Sequence, residues 1–160
     1  MEKSGVAIQN LTRRKSVPRF AYAAVAAEVL PNWDISLAFV TPARALALNK
    51  QLRKKTYTPN VLSYEVGAKS GEIIICLAEA EKQSPTYGFA TDDFILYLFI
   101  HGLLHLKGWP HGATMEACER KLVAKFAASG TRALTHVKTN SYGNRHRHVS
   151  SEDGRRRGTH

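Results

Sequence analysis

The sequence predicts an α+β fold, a small mixed β-sheet packed with about five helices, one of them buried at the centre and carrying the functional site. Three observations predict it. Short β-rich runs dominate the first half of the chain and the longer helical patterns the second. Two strand-like runs, Val61–Val66 and Glu72–Leu77, flank Gly67-Ala68-Lys69-Ser70-Gly71, a hairpin-like connection. The most apolar segment, Phe94–Leu106, spans 13 residues, too few for a membrane span, and reads as a buried helix.

The elements follow in order. Val6–Leu11 reads as a first strand, and Val17–Leu30 as an Ala-rich helix with Pro18 in its first turn and Pro31 ending it. Ile35–Val40 is strand-like. Thr41-Pro42 supplies a capping hydroxyl and an N1 proline, so a helix should run from there to about Arg53. After the hairpin, a short helix Ala78–Gln83 should stop before Pro85. Thr91, followed by Asp92 and Asp93, should cap the buried helix, which ends at Gly108. Thr114 should cap a last helix, Met115–Ala128, ended by Gly130.

At 160 residues and 44% hydrophobic, the chain can bury a core without disulfides. Its two cysteines, Cys76 and Cys118, form no CxxC pair, and Cys76 lies in the apolar run Ile73–Leu77. The N-terminus has no signal-peptide pattern, which makes the cytoplasm the expected compartment. Residues 1–135 are expected to form one domain. Residues 136–160 carry six Lys/Arg and two acids, and no Leu, Ile or Phe follows Leu134, so they read as a disordered basic tail.

The formal net charge of +10 makes a polyanion partner plausible, because each neutralised phosphate releases counterions. The tail supplies +4 of it and the body +6. Residues 41–70 hold six Lys/Arg against one acid, Glu65. Charge alone fits a solvated basic surface as well as it fits RNA.

The informative segment is His101-Gly-Leu-Leu-His105-Leu-Lys-Gly108-Trp-Pro-His111. Helical residues i and i+4 lie on one face, about 6 Å apart along the axis. Gly108 ends the helix and lets His111 return toward the same point. Three imidazoles with an open fourth position make a catalytic zinc site rather than a closed structural one. A single histidine on an apolar helix is usually a packed side chain, but burying three imidazoles without partners would cost roughly 1–3 kcal/mol each. All seven histidines lie in this motif or in the tail, which favours one zinc ion per chain, held by His101, His105 and His111. Metalloproteases of the HxxxHxxGxxH spacing need Glu after the first histidine, and Gly102 stands there.

HGLLHLKGWPH resembles the HGxLHLxGYDH signature of the YbeY family, bacterial endoribonucleases that act in rRNA maturation. Leu48-Asn49 with Arg53 resembles the family's LNxxYR element. Asn60-Val61-Leu62-Ser63-Tyr64 resembles its TDVLSF strand, and Gly71-Glu72-Ile73-Ile74-Ile75 its GDIxI strand. Met115-Glu116 with Glu119 resembles the start of its closing helix. Pro110 replaces the usual Asp, Leu52 the usual Tyr and Glu72 the usual Asp, and the stretch from His111 to Met115 is short.

The resemblance implies a zinc-dependent endoribonuclease acting in rRNA maturation and ribosome quality control. Its candidate catalytic residues are Arg53 and His101, and its metal ligands are His101, His105 and His111. Arg53 would contact the scissile phosphate, for which a guanidinium fork is suited. The implied partners are single-stranded RNA, rRNA precursors and the ribosomal subunit, with neither DNA nor membrane. Pro110 implies that a carboxylate partner for the metal ligands is missing. Two rival readings stand beside this one: a zinc-stabilised RNA-binding assembly factor, and a zinc peptidase or amidase that Gly102 disfavours.

Overall fold

The structure, a computed structural model, describes residues 5–127. Four strands, β1 (Gly5–Asn10), β2 (Asp34–Val40), β3 (Val61–Gly67) and β4 (Ser70–Cys76), form one sheet in the order β1-β2-β4-β3. β1, β2 and β4 run parallel, and β3 joins β4 as an antiparallel edge. Five helices complete the fold: α1 (Tyr22–Val29), α2 (Pro42–Arg53), α3 (Leu77–Tyr87), α4 (Thr91–Leu106) and α5 (Ala113–Phe126). The expected α+β class and mixed sheet are both present.

Strand alternation divides the core in two. Ile35, Leu37 and Phe39 of β2, with Ile73 and Ile75 of β4, face α4 and the larger cluster. Ala38, Val40, Leu62, Ile74 and Cys76 face the other way, where Ala45 and Leu48 of α2 cover them. Thirteen of the sixteen residues of α4 are buried, so this helix is the axle of the larger cluster. Gly102 permits its approach to the sheet, since a Cβ there would meet three side-chain atoms of Ile73 at 3.2–3.3 Å. Among the described residues no single helix is long and apolar enough to cross a membrane. The α3 and α4 pair passes that test only together, across a bend of 101°.

α2 starts as expected, with the Thr41 hydroxyl accepting from the Arg44 amide at 3.3 Å. The other helix boundaries need correction. Residues 17–21 are not helical: Val17 and Phe20 pack on the core from an irregular segment, and the Tyr22 hydroxyl donates to the Pro18 carbonyl at 2.7 Å. α3 passes Pro85 and ends at Tyr87. Proline removes the amide that would bond the Glu81 carbonyl, and the Ser84 hydroxyl donates to that carbonyl instead.

Thr91 is not the cap of α4. Ala90 holds that position, while the Thr91 hydroxyl lies 3.3 Å from that of Ser84. Gly112 precedes α5 with φ +154°, so Thr114 is helical and caps nothing. The hairpin turn is tighter than the glycine pair suggests, because β3 ends at Gly67 and β4 begins at Ser70, with Lys69 at φ +52°. Ala128, Gly130 and the tail 136–160 lie outside the described residues.

Candidate metal centre

α4 presents His101 and His105 one turn apart, on the flank turned away from α1. Gly108, at φ +97°, lets the chain leave the helix, and the Trp109 amide donates back to the Leu104 carbonyl at 3.0 Å. This reversal returns His111 to the cluster. Ring centroids lie 4.4 Å apart for His101 and His105, 4.3 Å for His105 and His111, and 5.2 Å for His101 and His111. One nitrogen from each ring falls within 4.8 Å of the others. The three residues picked from spacing are thus brought together.

The arrangement fits a metal ion. Nε2 of His101 and Nε2 of His105 are 3.1 Å apart. Two nitrogens at tetrahedral angles about an ion roughly 2.0–2.1 Å away would be separated by about 3.3 Å. His101 is 2% exposed, and its Nδ1 lies 2.7 Å from Oε2 of Glu119, which is fully buried in α5. With Nδ1–H donating to that carboxylate, the Nε2 lone pair is directed into the cluster.

Glu119 supplies a carboxylate to which the sequence assigned no role. Pro110 removes one beside His111, but α5 carries another to His101, eighteen positions along the chain. The sequence marked Glu119 only as part of the closing helix. Its signal was a lone acid on the apolar face of that helix, three residues before Leu122-Val123, both buried in the core. Glu119→Gln keeps the shape but loses the charge, and a ligand partner of this kind is typically worth 10–100-fold in metal affinity. Competition with a fluorescent chelator should show that loss, and unchanged affinity would assign Glu119 to packing alone.

Arg53 is the last residue of α2, half-buried, on the helix that covers the opposite face of the sheet from α4. Residues 54–60 lead from it into β3, the edge strand beneath α4. Its neighbour Asn49 is fully buried, and Asn49 Nδ2 donates to the Tyr57 carbonyl at 2.9 Å, tying this connection to the helix. Asn49 is therefore a structural amide.

The comparisons with known proteins agree with one another. The sequence model of the family described as Endoribonuclease YbeY matches residues 3–127. A protein named Endoribonuclease YbeY from Nautilia profundicola is 35% identical over 105 residues, covering 61% of this chain and 76% of that protein. One of the same name from Geobacillus kaustophilus is 32% identical over 127 residues, covering 69% of this chain and 80% of the relative. A solution structure from Thermotoga maritima superposes with a TM-score of 0.57 at 20% identity, over 75% of this chain and 87% of the other, and shows a shared fold. The matched span takes in both the sheet and the histidine cluster, and by it the chain belongs to the endoribonuclease YbeY family.

Proposed function

We propose that this chain is a zinc-dependent endoribonuclease that cleaves single-stranded RNA, rRNA precursors among its substrates. Family membership makes it a hydrolase acting on RNA. The observation that supports the rest is the convergence of His101, His105 and His111, with Glu119 behind the most buried of them. Imidazole donors suit zinc, and three of them leave a fourth position for substrate or water.

A bound zinc ion would supply Lewis acidity toward a phosphoryl oxygen and lower the pKa of water beside it. The chain's own residues do the remainder. The three imidazoles hold the ion, His101 in the orientation Glu119 imposes. Arg53 offers a planar fork to the scissile phosphate and stabilises charge that grows on it. The basic body attracts the backbone. Gly102 stands where the peptidase reading needs a glutamate, and it packs closely on Ile73 of the sheet.

Purified protein incubated with labelled single-stranded RNA, with chelator and with zinc restored, tests the proposal. Zinc-restored cleavage supports it. Binding without cleavage in any metal state would favour a zinc-stabilised assembly factor acting with the ribosomal subunit. Residues 136–160 should add affinity without specificity, because they carry +4 of charge and few apolar groups. A chain ending near Thr135 should keep one zinc and bind RNA more weakly at low salt, with the difference fading as salt rises. Equal affinity at low salt would make the tail a solvated appendage.

A further inference from the structure

With the three imidazoles turned toward a metal ion and Arg53 always charged, catalysis still needs a group that can take a proton. Glu119 is fully buried behind His101 and cannot reach a substrate. Glu72 accepts from the Tyr64 hydroxyl, on the α2 face of the sheet. Asp92 and Asp93 lie in the first turn of α4, at the other end of the helix from His105, and Glu116 lies in the first turn of α5. Glu65, by contrast, lies on the sheet and is the one acid beside the six Lys/Arg of residues 41–70.

The ladder places it. Val61, Ser63 and Glu65 pair with Ile75, Ile73 and Gly71 of β4, and paired residues share a face. Val61, Ile73 and Ile75 belong to the α4 cluster, so Glu65 belongs to the same face. Gly71 sits directly under the last turn of α4, since a Cβ on it would lie 2.7 Å from Cδ1 of Leu106. Glu65 is its partner across the ladder, with Cα atoms about 5 Å apart. It occupies the outer strand of the sheet and is exposed.

The helix fixes which flank lies above it. Gly102 of α4 faces Ile73. At 100° per residue, Phe99 and Leu103 fall on one flank, and His101 and His105 on the other. Phe99 packs edge-on to Tyr22 of α1, and α1 covers β1 at the far side of the sheet. The histidine flank therefore overhangs β3, and His105, the residue before Leu106, stands over the level of Glu65.

We propose, building on the endoribonuclease reading, that Glu65 is the proton acceptor of this site, on the β3 floor of a groove whose wall is the histidine flank of α4. The attacking water forms a bond to phosphorus and gives its proton to the Glu65 carboxylate. The bond from phosphorus to the departing ribose oxygen breaks, and the proton passes to that oxygen. A carboxylate facing a polyanion weakens binding, so its contribution lies in the chemical step.

Glu65→Gln and Glu65→Ala test this against wild type. Zinc content is measured by elemental analysis, RNA binding by fluorescence anisotropy under chelator, and cleavage by single-turnover kinetics. Both variants should keep one zinc and bind RNA at least as tightly as wild type, while the maximal rate falls about a hundredfold or more. Formate, a small carboxylate, should restore part of the rate to Glu65→Ala and none to Glu65→Gln, whose amide fills the space. Cleavage by Glu65→Gln within threefold of an active wild type overturns the assignment. So does a parallel fall in its zinc content or RNA affinity. A wild type that cleaves nothing in the presence of zinc removes the endoribonuclease reading and this inference with it.

Discussion

His105→Ala is expected to release the metal, abolish zinc-dependent cleavage and lower the melting temperature of the zinc-loaded protein. His105 lies between the other two rings, with centroid distances of 4.4 and 4.3 Å, so its removal leaves the widest-spaced pair. Two imidazoles do not replace a three-ligand site, and affinity for zinc falls by orders of magnitude. The thermal effect follows from linkage. A ligand at a hundred times its dissociation constant contributes about 2.7 kcal/mol to the folded state, and that contribution vanishes with binding. Stripping zinc from wild type should therefore reproduce most of the drop. A His105→Ala protein that keeps its metal would remove His105 from the ligand set.

Arg53→Ala should separate catalysis from binding. If its guanidinium meets the phosphate as charge develops, the variant keeps zinc, fold and most RNA affinity. Cleavage then falls by on the order of a hundredfold or more, the usual loss for one preorganised donor. Arg53→Lys should recover only part of the rate, since an ammonium cannot offer two parallel donors. Equal losses in binding and cleavage would make Arg53 a binding contact. Unchanged cleavage would return it to the surface of α2.

Much of this architecture was legible in the residues because the strongest signals are local. Pattern and capping found β2, α2, β3 and β4, and i,i+4 spacing with a terminating glycine found the three histidines. Two of the misplaced boundaries share a cause, a side chain with two available partners. Ser84 supplies the bond that Pro85 withholds, and Thr91 turns to Ser84 rather than to its own helix. Val17 and Phe20 pack on the core from outside any helix. Such choices are made by individual side chains, three to seven residues from their partners or against the packed core, and periodicity does not register them.

The same distinction hid Glu119. Its partner lies on another helix, and only the packing of α5 against α4 joins them. Nor could spacing reveal that the histidine flank overhangs the sheet edge, which depends on β3 pairing outside β4 rather than beside β2.

The placement of all three imidazoles within one helix and the turn after it also bears on how the molecule assembles. The parallel pairing of β2 with β4 joins Asp34 to Ser70 and must close a long loop before it is stabilised. The stretch from His101 to His111 closes only a short one. If these imidazoles hold zinc, a nascent α4 and its turn could capture the ion while the sheet is still unpaired, and zinc present during refolding should accelerate the appearance of helix ahead of the appearance of sheet.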